Sequence, residues 1–336
     1  MRLVFAFIIL SAFLFFKPID EKPVKEIIIN GLAQGTTYHI IYFAADSIIR
    51  KAQIDSVLDK IDSSLSIYKP YSLISRFNQS NEGITVDQHF INVINSSLTT
   101  YKATGGLFDI TVEPLVEAWG FATKHITEIP TATKIDSLLK CIGSNNLSLK
   151  KNFLHKSKPC IKIDVNGIAQ GYTVDVLANF FELQGIHNYL VELGGEIRLK
   201  GKKIPGNEKM KVGIESPPDD DMDDEIMQQV LKLDSGAITT SGNYRKYYES
   251  NGKKISHLID PRTGYSIQNE MISATVYAKD ATTADAFDNA LMVMGLDSAM
   301  HFVEKRKDLA AYFIYKRKDG TVADTATTKF YRLMHP

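Results

Sequence analysis

The helix predicted at Thr283–Met294 carries the side chains best suited to chemistry. Thr283 is its predicted N-cap, which places Asp285 in the first turn. Asp288 and Asn289 follow three and four positions later, so all three oxygen-bearing side chains lie on one face. Such a face suits Mg²⁺, which takes one or two carboxylates and completes its shell with water and substrate phosphates. The structural alternative is that Asp285 complements the helix dipole and Asp288 is solvated.

A second candidate stretch is Lys162–Asp175. The apolar–polar alternation of Cys160–Val165 predicts a strand with Asp164 at its end, and Gly167 and Gly171 stand where a helix then opens. This arrangement would point backbone N–H groups and the positive end of a helix dipole at a polar or phosphorylated ligand. An ordinary strand–turn–helix joint, with glycines for close packing, is the alternative.

Two loops add candidate ligand contacts. In Ser256–Gly264, which ends in a Pro-Arg-Thr-Gly turn, His257 could face a ligand or be an ordinary strand histidine, and Ile259 could pack on a ring. In Gly105–Asp109, Asp109 could bind a polar edge of a ligand or cap the following turn. The standard nucleotide loops, the G-x-S-x-G motif and the H-E-x-x-H motif are absent from the sequence.

The composition indicates a globular protein with a substantial core. The chain has 336 residues, 44% of them hydrophobic, and a formal net charge of zero. It has no basic stripe, which argues against nucleic acid as a partner. Its two cysteines, Cys141 and Cys160, lack the paired spacing of a zinc or redox site. They form one disulfide if the protein is exported, or remain two separate buried thiols.

The N-terminus has the layout of an export signal. Met1 and Arg2 precede the unbroken apolar run Leu3–Phe16, and Lys17 follows. The run is short for a membrane span, which needs about 20 residues, and no small-x-small cleavage site stands out. We therefore favour an uncleaved signal anchor over residues 1–20, ahead of a weakly cleaved signal or a buried helix. The body, residues 21–336, is then expected on the periplasmic side of the inner membrane.

The remaining pattern predicts one α+β domain. Predicted strands such as Thr36–Phe43, Ser273–Ala278 and Lys329–Leu333 are intermixed with amphipathic helices such as Phe90–Thr104. They do not follow the regular βαβ order of a doubly wound sheet. We therefore expect a largely antiparallel sheet with packed helices.

Several ordered blocks make the chain resemble the ApbE family of FAD:protein FMN transferases. The resemblance runs from about Gly31 to Leu333. Each block is weak alone, but their joint order and spacing are specific. The blocks are GLAQGTTYHI, SIYKPYSLISRFN, TGGLFDITVEPLVEAWGF, KIDVNGIAQGYTVD, YLVELGGEIRLKG, SHLIDPRTG and ADAFDNALMVMG.

The resemblance implies a phosphoryl-transfer reaction on FAD. In the family, FAD binds with Mg²⁺ on its pyrophosphate, a threonine of a partner protein attacks the FMN-side phosphorus, and AMP leaves. The acceptors are membrane-associated electron-transfer subunits with a short Ser/Thr-Gly-Ala-Thr-like motif. The resemblance leaves open an FAD pyrophosphatase, with water as the nucleophile, and a non-catalytic exported FAD-binding protein.

The resemblance also implies site residues. Gln34 stands where the family often has methionine, Gln170 where it often has lysine or glutamate, and Asn289 where a metal-binding threonine is usual. Asp285 and His257 are candidates for the base that takes the threonine proton. The implied FAD-binding residues are Gln34, Tyr68, Leu107, Phe108, Asp109, Asp164, Gln170, His257 and Ile259, and the implied metal ligands are the Gly167 carbonyl, Asp285, Asp288 and the Asn289 amide.

Overall fold

The structure is a computed structural model that describes residues 23–122, 129–215, 227–243, 247–250 and 253–336. The signal or anchor segment predicted at residues 1–20 lies outside these residues. Within the described ranges, no helix combines the length and the apolar character needed to cross a bilayer.

An eight-stranded sheet forms the centre of the fold. Every neighbouring pair in it is antiparallel, so the predicted α+β class with an antiparallel sheet is confirmed. The spatial order is β1 (Lys25–Ala33), β2 (Thr36–Ala44), β6 (Tyr189–Leu193), β7 (Glu196–Lys200), β10 (Ser235–Gly242), β13 (Met271–Ala278), β14 (Ala310–Lys316) and β15 (Val322–Ala326).

Helices and small sheets cover this central sheet. The helices are α1 (Lys51–Leu65), α2 (Leu73–Gln79), α3 (Gln88–Ala103), α4 (Glu113–Ala118), α5 (Ala132–Leu139), α6 (Asn166–Leu183), α7 (Ala281–Met294), α8 (Leu296–Glu304) and α9 (Thr328–Met334). The small sheets pair β3 (Gly83–Thr85) and β4 (Leu147–Lys150) with β5 (Phe153–Lys156), β8 (Met210–Glu215) with β9 (Met227–Leu233), and β11 (Tyr247–Ser250) with β12 (Lys253–Ser256).

The helices α6 and α7 lie side by side against the sheet. Phe181 of α6 packs on Tyr189 of β6, in the core cluster that also contains Leu177. Phe287 of α7 belongs to the core cluster that contains Phe313 of β14. Burial of such side chains contributes about 1.5–3 kcal/mol each. This packing fixes both helices, and therefore any side chains on their shared face, relative to the sheet.

Two predictions of secondary structure are wrong. Residues Cys160–Val165 belong to no strand. Ile161 and Ile163 are buried in alternation, as in a strand, but the segment has no ladder partner among the described residues. Lys329–Leu333 lies in helix α9, because β15 already occupies the sheet edge, and Phe330 stacks on Tyr312 with ring centroids 5.7 Å apart.

The start of α7 also differs from the prediction. Its N-cap is Asp280, whose carboxylate accepts a hydrogen bond from the Thr283 amide at 2.8 Å. Asp285 therefore lies in the second turn and not the first. The reason is that aspartate caps at least as well as threonine, so the helix begins at the earlier of the two cap residues.

Cys141 and Cys160 form a disulfide. The sequence left open a disulfide or two separate thiols, and the structure contains the disulfide. It joins the chain just after α5 to the first residue of the extended segment Cys160–Asp164.

Candidate active site

The acidic face of α7 meets the N-terminal turn of α6. Asp285 Oδ2 accepts a hydrogen bond from the Gly171 amide at 2.8 Å. The Asn289 amide nitrogen lies 3.4 Å from the Gly167 carbonyl oxygen and donates to Asp288 Oδ1 at 2.9 Å. Gly167, which lies more than 110 positions before the implied metal ligands of α7, is thus brought beside them.

The carboxylates of this cluster are buried. Asp285 and Asp288 are 4% and 1% exposed. Burial, and to a smaller degree the charge of Asp175, raises the pKa of Asp285 to about 7. Burial, followed by the charge of Asp285, raises the pKa of Asp288 well above its usual range. Within the described part of the chain, Asp288 Oδ2 has no hydrogen-bond partner. Two buried carboxylates with an unsatisfied oxygen favour a compensating cation.

The Gly167 carbonyl suits the role of a third oxygen donor. Gly167 has non-helical dihedral angles (φ −85°, ψ 19°) inside α6, so the helix is kinked there. The amide that would pair with this carbonyl in a regular helix is that of Gly171, and it donates to Asp285 Oδ2. Two carboxylates and a carbonyl, with water and phosphate oxygens, match the preferences of Mg²⁺. The residues present therefore fit the implied metal.

Asn289 fits the metal only after a change of orientation. Its amide nitrogen faces Asp288 and Gly167, whereas its oxygen accepts a hydrogen bond from the Ser241 hydroxyl at 3.2 Å. A half-turn of the amide would present the oxygen to the cluster, and the Ser241 hydroxyl would then accept from the nitrogen. The predicted ligation by Asn289 therefore stays a prediction. In the described ranges, no cluster of three or more His, Cys, Asp or Glu side chains suits a metal.

A cavity adjoins this cluster. Gly167 and Asn289 form part of its wall. Its lining includes most of the residues that the resemblance implies for FAD. These are Tyr68, Leu107, Phe108, Asp109, Asp164, His257 and Ile259.

Gln34 and Gln170 do not line this cavity. Gln34 is at the β1–β2 turn, with φ +52°, and donates to the Thr173 hydroxyl of α6 at 3.0 Å. It lines a separate surface groove, which also contains Asp62. Gln170 of α6 lies beside Gly194, which is in the β6–β7 turn. Their predicted contacts with FAD require a ligand that extends beyond the cavity.

The two acidic side chains that line the cavity, Asp109 and Asp164, differ in burial and in the hydrogen bonds that they accept. The Asp109 carboxylate is buried and accepts hydrogen bonds from the backbone amides and hydroxyls of Thr111 and Ser144. It caps the turn that follows, as the structural alternative expected. Asp164 accepts from the Asn166 amide at 2.8 Å and is partly exposed. Burial, followed by the charge of Asp164, raises the pKa of the Tyr68 hydroxyl.

The two candidate bases have different surroundings. His257 lines the cavity, and its ring lies edge-on to Phe121 with centroids 6.3 Å apart. Asp285 is buried beside Gly171. Position thus favours His257 for contact with a substrate hydroxyl.

Asp175 of α6 was missed by the sequence reasoning. Its carboxylate accepts hydrogen bonds from the Ala281 and Thr282 amides at 3.0 and 2.8 Å, and it pairs with Arg198 at 2.8 Å. It therefore joins the start of α7 to α6. The signal available was its position four residues after Gly171, on the same helix face.

We expect Asp175→Asn to destabilise the protein by about 1–3 kcal/mol. An amide group has one acceptor oxygen in place of two, so donors at the start of α7 lose a partner and Arg198 loses its charge partner. Chemical unfolding of the two proteins measures the effect. Asp136→Asn, on the exposed face of α5, is the matched control and is expected to change stability by less than about 0.5 kcal/mol. Equal stability of Asp175→Asn and the parent would contradict the expectation.

Comparison with known proteins identifies relatives of this chain. The model of the ApbE family matches residues 34–313. An FAD:protein FMN transferase of Vibrio cholerae is 37% identical over 89% of this chain and 90% of its own length. That of Escherichia coli K12 is 35% identical over 93% of this chain and 92% of its own length.

Solved structures show the same likeness. The flavin transferase ApbE from Vibrio cholerae has a TM-score of 0.82 and 33% identity, covering 93% of this chain and all of that one (100%). The apo form of Pseudomonas stutzeri flavinyl transferase ApbE has a TM-score of 0.83 and 28% identity, covering 93% and 98%. With a family match over most of its length and relatives above 30% identity, this chain belongs to the ApbE family.

Proposed function

We propose that this protein transfers FMN from FAD to a threonine hydroxyl of a partner protein, with Mg²⁺, and releases AMP. The observation that carries the proposal is the junction of the buried Asp285–Asp288 pair and the Gly167 carbonyl with a cavity lined by residues implied for FAD. The names of the relatives, FAD:protein FMN transferases, support the same activity.

The reaction exchanges the phosphoanhydride bond of FAD for a phosphoester bond to threonine. The threonine oxygen bonds to the FMN-side phosphorus of FAD, the bond from that phosphorus to the bridging oxygen breaks, and AMP leaves with the electron pair. Asp285, Asp288 and the Gly167 carbonyl would hold the metal, which supplies charge neutralisation on the pyrophosphate when bound. Tyr68 and Asp164 would orient the flavin nucleotide at the cavity wall, and His257 would take the hydroxyl proton.

The proposal includes a place outside the cytoplasm. The apolar N-terminal run supports export and an anchor in the inner membrane, and a disulfide is stable in an oxidising compartment. The acceptor is then a membrane electron-transfer subunit with a threonine in its flavinylation motif. Mass spectrometry of exported proteins, with and without this enzyme, would identify a threonine that carries FMN.

The decisive test incubates the purified protein with FAD and Mg²⁺, with and without a threonine-motif acceptor. We expect FMN on the acceptor, AMP in equal amount, and loss of both when a chelator removes the metal. Free FMN formed equally fast without an acceptor, with none bound to protein, would indicate an FAD pyrophosphatase. FAD binding without AMP release, with or without metal, would indicate a binding protein.

A further inference from the structure

The extended segment from Cys160 to Asp164 is held by side chains where a strand would be held by a neighbouring strand. The side-chain amide of Asn78 accepts from the Ile163 amide at 2.8 Å and donates to the Ile163 carbonyl at 2.9 Å. This is the pair of hydrogen bonds that a neighbouring strand would make. The Asp164 amide donates to the Ile110 carbonyl at 2.8 Å.

Lys156 makes the second side-chain attachment. It is 1% exposed, and its Nζ donates to the Ile161 carbonyl at 2.8 Å and to the Phe77 carbonyl at 3.1 Å. Phe77 is in the last turn of α2, where a positive charge is favourable, and the ammonium group lies 4.9 Å from its ring centroid. Burial of a charged lysine is costly. Burial, followed by the charge of Lys162, lowers the pKa of Lys156 to about 8.

Both side chains connect α2 to the segment that ends at Asp164. On one side is α2, which directly follows the loop that carries Tyr68. On the other side is the segment that ends at Asp164. Tyr68 and Asp164 both line the cavity and lie close enough for the Asp164 charge to raise the pKa of Tyr68. Asn78 and Lys156 do not line the cavity themselves.

We propose that Asn78 and Lys156 are positioning residues that set the spacing between Tyr68 and Asp164 and thereby determine the affinity for the flavin nucleotide. The inference rests on the proposed function, in which Tyr68 and Asp164 contact FAD. Lys156 is the donor to the Ile161 carbonyl, and it ties that carbonyl to the Phe77 carbonyl, which also accepts from the amide and hydroxyl of Ser80. The cost of burying this lysine is thus offset by holding the segment before Asp164 against α2.

The test compares Lys156→Met and Asn78→Asp with the parent protein. Methionine keeps the length of the lysine chain but donates no hydrogen bond, and aspartate still accepts from the Ile163 amide but cannot donate to its carbonyl. Lys158→Met is the matched control, since Lys158 also donates to a backbone carbonyl but is exposed. The measurements are the dissociation constant for FAD, KM for FAD, kcat, and the folded fraction by circular dichroism.

We expect both variants to raise the dissociation constant and KM for FAD about 10-fold to 100-fold, with kcat changed less than about 3-fold, because the α7 carboxylates keep their contacts. Lys158→Met should match the parent. Unchanged FAD affinity in both folded variants would overturn the inference alone, as would equal losses in kcat and folded fraction with KM unchanged. A parent protein that binds no FAD would overturn the proposed function, and the inference with it.

Discussion

Asp288→Asn is expected to lower the rate of FMN transfer by a factor of about 10³ or more without destabilising the protein. Asp288 is one of the two carboxylates that would hold the metal. The variant lacks this negative charge and should hold the metal less well, which reduces charge neutralisation at the pyrophosphate. Stability should remain because the amide oxygen can still accept from the Asn289 amide. The Thr239 hydroxyl is close enough to Asp288 to lower its pKa, and it has no hydrogen-bond partner within the described residues. The new amide NH₂ of the variant can donate to this hydroxyl.

The raised pKa of Asp285 predicts that the free energy of unfolding of the metal-free protein depends on pH. The folded-state pKa of Asp285, about 7, is above its unfolded value of about 4. The folded state therefore binds more protons between these values, and the free energy of unfolding falls as pH rises from about 4 to about 7. Chemical unfolding at several pH values with a chelator measures this fall. Added Mg²⁺ should restore stability at pH 7 in the parent but much less in Asp288→Asn.

Asp280→Asn is the control for Asp288→Asn. Asp280 caps the same helix through the Thr283 amide, and asparagine is an equally good N-cap. The control should keep both its stability and its transfer rate. Transfer by Asp288→Asn within 10-fold of the parent would contradict the role given to this carboxylate.

Local spacing made the acidic face of α7 predictable. Residues three and four positions apart share a helix face wherever the helix begins. The wrong N-cap placed Asp285 in the first turn, whereas it lies in the second. The spacing from Asp285 to Asp288 and Asn289 was not affected. The ApbE resemblance, which rests on the order of several blocks, supplied the remaining site residues.

Contacts between distant parts of the chain could not be predicted from such spacing. Asn78 and Ile163 are 85 positions apart, and Asp175 and Thr282 are 107 apart. Nothing in the sequence near Cys160–Val165 shows that a side chain takes the place of a neighbouring strand, so the alternation of its apolar residues led to a wrong strand. The pattern reports which side chains are buried, and the hydrogen-bond partner is decided by tertiary packing.

Gly171→Ala is expected to destabilise the protein by about 3 kcal/mol and to lower the transfer rate about 100-fold. A Cβ at Gly171 would lie 2.3 Å from the Ala281 carbonyl oxygen and 2.7 Å from Asp285 Cβ. Both are parts of α7, so the two helices must separate. In a helix free of contacts the change would instead stabilise by about 1 kcal/mol, so the sign of the effect reports how closely α6 and α7 approach.

Separation of the helices also explains the loss of activity. Asp285 receives its hydrogen bond from the Gly171 amide, and the Gly167 carbonyl is one turn away on the same helix. Moving α7 outward therefore draws the carboxylates away from the carbonyl, and misplacement by about 1 Å can cost 10²-fold in rate. Gly206→Ala is the control, because among the described residues its Cβ would meet only the Glu208 side chain, at 3.7 Å. Thermal unfolding and the transfer rate should both be unchanged in the control; a Gly171→Ala protein as stable as the control would show that the helices can separate without cost.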